Sequence, residues 1–419
     1  MTAFRAAYEA LILVSIAISV TSCASLGREE APPPPPAPAP APPPPPPPLT
    51  SPPVFQAPPG SRATLVPVFY GTNRVRVGTA RYGSFTAGIG PVRYGVAYVT
   101  IPPGHEAGEI ERPAWICQRL GFGEDAERHV TIRRVDALGD AAFFQAAGAE
   151  MARIASKLSK PRTALLFVHG FNVRFDDAVM RTAQIAKDVG FQGAPFLFSW
   201  PSQGAAFRVR DPAGPYRRDA RSITLSQAPL EGFIRDVLDR AKPDKLFILA
   251  HSMGARGTSL ALSRLAKTRP DLRQKVAALV LAAPDIQQEV FRRDVGPGLA
   301  RLAAGVTTYS SSRDKALMVS HVVNGRPALG DARGGPFLLP PMQMVDVSAI
   351  DTDWLGHSAY GNEAPLLADI RAIVNNVVPP RAGLQRRARG RSHYWAYMPQ
   401  PGPPRTEALL NLARLRCGQ

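Results

Sequence analysis

Cysteine is scarce in this chain, with Cys23, Cys117 and Cys417 the only three among 419 residues. That excludes a disulfide-dense scaffold and a four-cysteine zinc site. Lysine is scarce too: 42 of the 50 basic residues are arginine, as a GC-rich coding bias alone can produce. Charged residues make up 20% of the chain, below the roughly 25% of ordinary soluble domains. The 45% apolar content still fills a sizeable core, which excludes a fully disordered polymer. Long apolar runs are missing as well. The longest, Leu11–Val20, spans ten residues, against about 20 for a helix that crosses a bilayer. No glycine-rich phosphate loop, dinucleotide fingerprint or internal repeat is found, so the residues call for no cofactor and no metal.

What the chain has in excess is positive charge and proline. The formal charge is +17, with −1 on residues 1–60, +11 on 61–379 and +7 on 380–419. It is spread thinly rather than gathered into a stripe, which argues against a nucleic-acid partner. Proline numbers 44, and 18 of these fall between Pro32 and Pro59.

Residues 1–23 read as a secretory signal, with Arg5 in the n-region and Leu11–Val20 as the apolar stretch. The stretch ends in Val20-Thr21-Ser22-Cys23, which resembles a bacterial lipobox. An ordinary cleaved signal with an incidental cysteine is the alternative. Lipid on Cys23 makes an anchor, at about 0.8 kcal/mol per buried methylene. Ala24 rather than Asp follows the cysteine. By resemblance to bacterial lipoproteins, that implies the cell envelope, at the outer membrane facing the periplasm. Residues 24–60 are a proline-rich linker. Pro32–Pro36 and Pro42–Pro48 favour polyproline II, and Ala31–Pro59 extended at about 3.1 Å per residue reaches roughly 90 Å.

From residue 61 to 379 short apolar runs recur: Leu65–Tyr70, Tyr94–Ile101, Val130–Val135, Ala164–Val168, Pro195–Ser199, Leu246–Ala250, Val276–Ala282, Val306–Tyr309 and Met344–Val347. After Ala164 they alternate with helical patterns over Phe175–Val189, Leu230–Arg240, Gly254–Thr268 and Asn362–Val377. Strands apolar throughout and separated by helices predict an α/β fold, a mostly parallel sheet covered on both faces. Residues 61–160 read as strands with few helices, adding antiparallel strands at one edge. Ser202–Arg221 reads as a long basic loop that either caps a pocket or is simply solvated. Residues 380–419 read as a basic, flexible tail, in which Arg386, Arg387, Arg389 and Arg391 are either solvated or touch anionic lipid or wall polymer. Cys117 and Cys417 are available to pair in an oxidising compartment.

The chemistry sits on four loops. In Phe247-Ile-Leu-Ala-His-Ser-Met-Gly-Ala255 an apolar strand runs into Ser252, flanked by Ala250 and Gly254, and a helix follows. That is a nucleophile elbow, whose tight turn admits only small neighbours. Leu165-Leu-Phe-Val-His-Gly-Phe-Asn172 ends a second strand, and the backbone amides of Phe171 and Met253 are the candidate oxyanion donors. His169 and His251 are set aside as bases, because the first holds its own loop and the second points away from Ser252. The acid is Asp314, after the strand beginning at Val306, with Asp285 as the alternative one strand earlier. Of the histidines after Asp314, His321 falls in a helical stretch and His393 in the tail, leaving His357 as the general base.

Seven stretches occur in order: Val68–Arg74 (VFYGTNR), Phe167–Asn172 (FVHGFN), Phe198–Ser202 (FSWPS), Leu249–Arg256 (LAHSMGAR), Leu281–Asp285 (LAAPD), Tyr309–Asp314 and Gly356–Tyr360 (GHSAY). Together, over roughly residues 65–375, they resemble a bacterial α/β-hydrolase family of unknown function. The resemblance implies the α/β-hydrolase fold and a Ser252–Asp314–His357 triad, and no particular substrate. Two functions follow as expectations. One is a serine hydrolase that cleaves a small or lipid-like carboxylic ester or thioester through an acyl-enzyme. The other is a catalytically silent scaffold that binds an envelope partner.

Overall fold

Every second residue of the apolar runs is carried to the opposite side of one sheet. The computed structural model describes residues 60–113, 123–204, 213–273, 275–350 and 364–398. In β6 (Lys245–His251), Leu246, Ile248 and Ala250 join one core cluster and Phe247 and Leu249 the other. In β4 (Thr163–Val168), Ala164, Leu166 and Val168 oppose Leu165 and Phe167 in the same way. Both faces of these strands are therefore dry, and each large side chain contributes about 1.5–3 kcal/mol by burial.

The remaining strands are β1 (Thr64–Arg76), β2 (Phe85–Ile101), β3 (Thr131–Leu138), β5 (Ala194–Ser199), β7 (Val276–Ala282), β8 (Val306–Ser310), β9 (Gln343–Asp346), β10 (Leu384–Arg389) and β11 (Ser392–Tyr397). They form an eleven-stranded sheet in the order β10-β11-β9-β8-β7-β6-β4-β5-β1-β2-β3. From β11 to β1 neighbouring strands are parallel. β2 and β3 add antiparallel strands at one edge, as expected, and β10 at the other. The helices used below are α1 (Asp140–Leu158), α2 (Phe175–Asp188), α3 (Gly214–Leu225), α4 (Gln227–Asp236), α5 (Ser252–Thr268), α6 (Gly296–Leu302), α7 (Lys315–Asn324) and α8 (Ala364–Val374). Phe143 of α1, Phe233 of α4, Leu262 of α5 and Leu299 of α6 cover one face, and Val179 of α2 and Ile370 of α8 cover the other. Among the described residues no helix is long and apolar enough to cross a membrane.

Two segments differ from expectation, and one helix has no signal of its own. The stretch expected to hold few helices contains one long one among its described residues, the 19-residue α1, which buries Phe143, Phe144, Ala147 and Met151. Gly139 stands at its N-cap without a side-chain cap, so the usual start signal is missing. The expected basic loop becomes helical from Gly214, with Pro215 in its first turn. Tyr216, Asp219 and Ile223 of α3 face inward, while Arg217, Arg218 and Arg221 are exposed. The expected flexible tail forms the β10–β11 hairpin over Leu384–Tyr397. β10 buries only Leu384, so no apolar alternation announces it, and backbone pairing holds it instead. The proline-rich linker, Cys23, Cys117, Cys417 and His357 lie outside the described residues.

A charged clamp ties the loop after β2 to the end of α2. His105 Nδ1 lies 2.8 Å from Glu111 and Nε2 lies 2.7 Å from Asp188, which also accepts from the Gly108 amide at 2.7 Å. Burial opposes the imidazolium, but the bonds to Asp188 and Glu111 outweigh it and raise the His105 pKa to about 9. The unfolded value is about 6.5. The clamp is therefore at full strength below that pH and is lost as pH rises through 9. Thermal unfolding is expected to show a decline in stability from pH 6 to pH 10 that flattens in His105→Ala, and an unchanged slope would refute the linkage.

Candidate active site

β6 delivers Ser252 into a backbone conformation that a serine rarely adopts. Its φ is 51°, directly after His251 in the extended region and at the first residue of α5. Such a residue costs on the order of 1–3 kcal/mol and persists only where its surroundings hold it. Two glycines make the turn possible. A Cβ on Gly254 would sit 2.2 Å from the His169 carbonyl oxygen and 2.7 Å from that of Val168. On Gly170 it would sit 2.4 Å from His251 Nδ1 and 3.1 Å from Ser252 Cβ. The first turn of α5 thus lies against the end of β4, and the loop leaving β4 lies against the serine. The start of a helix favours developing negative charge, and its first amides have no partner within the helix. Met253 occupies that turn and is fully buried.

The loop with Phe171 is held from below by groups that composition and spacing did not reveal. Asn172, at φ 59°, donates its amide to Asp219 Oδ2 at 2.9 Å. The same carboxylate accepts from Ser202 Oγ at 2.5 Å and from the Gln203 amide at 2.9 Å. Val173 donates to Ser202 Oγ at 3.0 Å. One buried carboxylate on α3 therefore fastens the loops after β4 and β5 together. Burial pushes the Asp219 pKa up against these bonds and the nearby Arg74.

Arg74 of β1 completes the support. It is 1% exposed. It donates to Ser199 Oγ at 2.9 Å, to the Ser202 carbonyl at 2.9 Å and to the Val173 carbonyl at 2.8 Å. Burial pulls its guanidinium down to about 9 against Asp219, Asp176 and Asp177, so it is charged at neutral pH.

Of the two histidines set aside as bases, His169 is buried and His251, at the end of β6, is half-buried. His169 stacks on Trp200 at 5.1 Å, and Trp200 Nε1 donates to the His169 carbonyl at 2.7 Å. Its ring nitrogens lie 3.0 Å from the Gly170 carbonyl and 3.2 Å from Ser199 Oγ. Burial and then Arg74 keep it well below its ordinary pKa, hence neutral. Burial lowers His251 to about 3.

The two candidate acids have different surroundings. Asp314 is the N-cap of α7, and its Oδ1 accepts from the Leu317 amide at 3.0 Å. It follows β8, two strands from β6 in the sheet. Asp285, 2% exposed, follows β7. Its Oδ2 receives Arg256 at 2.6 Å and Tyr216 at 2.8 Å, and its Oδ1 receives Ser320 Oγ. Tyr216 also lies 6.0 Å from Phe171 by ring centroids.

The strand–Ser252–helix turn, with a mostly parallel sheet around it, is the architecture of the α/β-hydrolase fold. A family model described as "Alpha/beta hydrolase of unknown function" matches residues 146–371, more than half of the chain. The chain belongs to this family. The match takes in Ser252, both candidate acids and Asp219, and it begins inside α1. Among curated proteins no relative matches.

Solved structures with likeness to the chain include Est1E from Butyrivibrio proteoclasticus, 10% identical, covering 68% of this chain and 93% of that one at a TM-score of 0.31. A Trichoderma reesei cutinase in complex with a phosphonate inhibitor is 17% identical, covering 57% and 90% at 0.25. An esterase from Pyrobaculum calidifontis is 11% identical, covering 51% and 76% at 0.23.

Proposed function

We propose that this member of the family is a serine hydrolase that cleaves a carboxylic ester or thioester through an acyl-enzyme. The observation that carries the reading is Ser252 held at φ 51° between β6 and α5. Ser252 Oγ attacks the substrate carbonyl carbon while His357 takes its proton. The oxyanion accepts from the Phe171 and Met253 amides, a reading supported by the Asp219 clamp on the neighbouring Asn172 amide and by Met253 standing in the first turn of α5. His357 then protonates the leaving group. Water, deprotonated by His357, releases the acid and restores Ser252. Asp314 orients the imidazole and stabilises its charged form. Asp285 is the poorer acid, because withdrawing it would leave Arg256 without its carboxylate in a largely buried position. In this reading Cys23 carries lipid, the proline-rich segment is a stalk, and the substrate is a small or lipid-like ester of the bacterial envelope.

Hydrolysis of a chain-length series of p-nitrophenyl esters and of a thioester tests this. A histidine base works when neutral, so kcat/KM is expected to rise with pH through a value near 6.5 and to lose that rise in His357→Gln. Activity independent of pH between 5 and 9 would count against a histidine base.

A further inference from the structure

The helix that begins at Asp314 turns apolar side chains outward. α7 buries only Leu317 and Ser320, while Met318, Val319 and Val322 are 45%, 37% and 82% exposed. Met318, His321 and Val322 share one face by their spacing of three and four residues. Other surface helices present ion pairs there, as α1 does with Glu150 and Arg153. Between Lys315 and Asn324 α7 contains no carboxylate; Asp314 caps its start, and the exposed cations Arg313, Lys315 and Arg326 stand at its two ends.

A second unusual surface stands beside it. From Leu384 to Tyr397 the β10–β11 hairpin carries Arg386, Arg387, Arg389 and Arg391 and no acid. None of the four pairs with a carboxylate among the described residues, whereas Arg153, Arg162, Arg240, Arg264, Arg269 and Arg333 all do. Arg387 and Arg389 lie opposite Tyr394 and Ser392 on one face of the hairpin, and Arg391 follows in the turn. Arg389 is held by the Gly334 and Pro336 carbonyls. The two surfaces meet across an open cavity of about 590 Å³, lined by His321 of α7, by Phe337 and Leu338, and by Arg389 and Ser392 of the hairpin.

We propose that this face, the outer side of α7 with the β10–β11 turn, docks on a bilayer that contains anionic phospholipid. Met318, Val319 and Val322 enter the boundary between headgroups and acyl chains, and Arg387 and Arg391 meet lipid phosphates. Interfacial helices combine these two elements, apolar side chains for depth and cations for anionic headgroups. A phosphate polymer would satisfy the arginines and leave the valines and methionine unused. Docking brings Asp314, at the start of α7, to the lipid surface. It depends neither on turnover by Ser252 nor on lipid at Cys23.

Flotation of the full chain carrying Cys23→Ala, which removes any acyl anchor, tests the proposal. The vesicles are phosphatidylcholine alone and an equal mixture with phosphatidylglycerol. The parent is expected to prefer the mixture and to lose that preference at high salt. Arg387→Gln with Arg391→Gln should weaken binding to the mixture roughly 25-fold, about fivefold per charge. Val322→Asp should weaken binding to both vesicles. All are surface changes, so melting temperatures should match the parent, and Ser252→Ala should bind as the parent does. No preference for the mixture, or parent-like binding by the double arginine variant, overturns the proposal. So does a dimer in solution that Val322→Asp dissolves, since a second copy then covers the face.

Discussion

A fluorophosphonate probe is expected to label the parent chain and to leave Ser252→Ala unlabelled, with ester turnover falling by at least about a thousandfold. The size of the effect follows from where the serine stands. Its backbone stands in the left-handed region where Gly170 and Gly254 leave room for the turn, and the residue is nearly buried, at 6% exposed, so a nucleophile there is shielded from bulk water. The same strain predicts a stability order. Glycine adopts φ 51° freely and alanine does not, so Ser252→Gly is expected to unfold at higher urea than Ser252→Ala, by about 1 kcal/mol. Equal stabilities would show that the turn stores no strain. A folded parent that neither reacts with the probe nor cleaves small esters would move the reading to the silent scaffold.

The elbow was legible in sequence because its requirements are local. A buried strand, a serine and small residues two positions either side leave few other readings, and Gly254 is confirmed by the space it lacks. The central strands were legible for a related reason: when both faces are covered, every residue is apolar, and β6 and β7 stand out from the polar loops around them. The Asp219 clamp was not legible. Arg74, Asn172, Ser202 and Asp219 are spread over 146 positions and meet only because β1, β5 and β4 are neighbours in the sheet. The motifs that carry the family resemblance contain Arg74, Asn172 and Ser202, but no spacing rule singles out Asp219.

The hairpin failed for the opposite reason. An edge strand needs only one partner and one buried anchor, here Leu384, so LQRRAR reads as solvated coil. α1 failed because its core face is built from alanine and two adjacent phenylalanines without a capping residue before them. In each miss the deciding interaction is long-range or made by the backbone, and neither leaves a periodic trace.

Arg381→Met is expected to destabilise the domain by about 3–5 kcal/mol, read as a shift in the urea midpoint without a change in slope. Arg381 and Asp369 are 1% and 0% exposed in their side chains and joined by two bonds, at 2.5 Å and 3.0 Å. Arg381 also donates to Gln343 at 2.6 Å, and Tyr309 donates its hydroxyl to Asp369. Burial and then Asp369 keep the Tyr309 phenol well above its ordinary pKa, so it stays a donor. Removing the guanidinium strands a carboxylate in the core with one hydroxyl for company. Replacing both partners, as Arg381→Met with Asp369→Leu, removes the charge along with its partner and should recover much of the loss. A double variant no more stable than Arg381→Met would assign the cost to packing instead.

The location of the pair gives the double variant a second use. Tyr309 lies in β8, five residues before Asp314, and Asp369 lies in α8, the helix that follows the segment containing His357. The network therefore ties the strand that leads to the proposed acid to the helix that follows the proposed base. An apolar pair can restore burial but not the fixed geometry of a bidentate bond, so the double variant is expected to stay folded and lose kcat with little change in KM. A double variant that is both stable and fully active would assign Arg381 and Asp369 to stability alone.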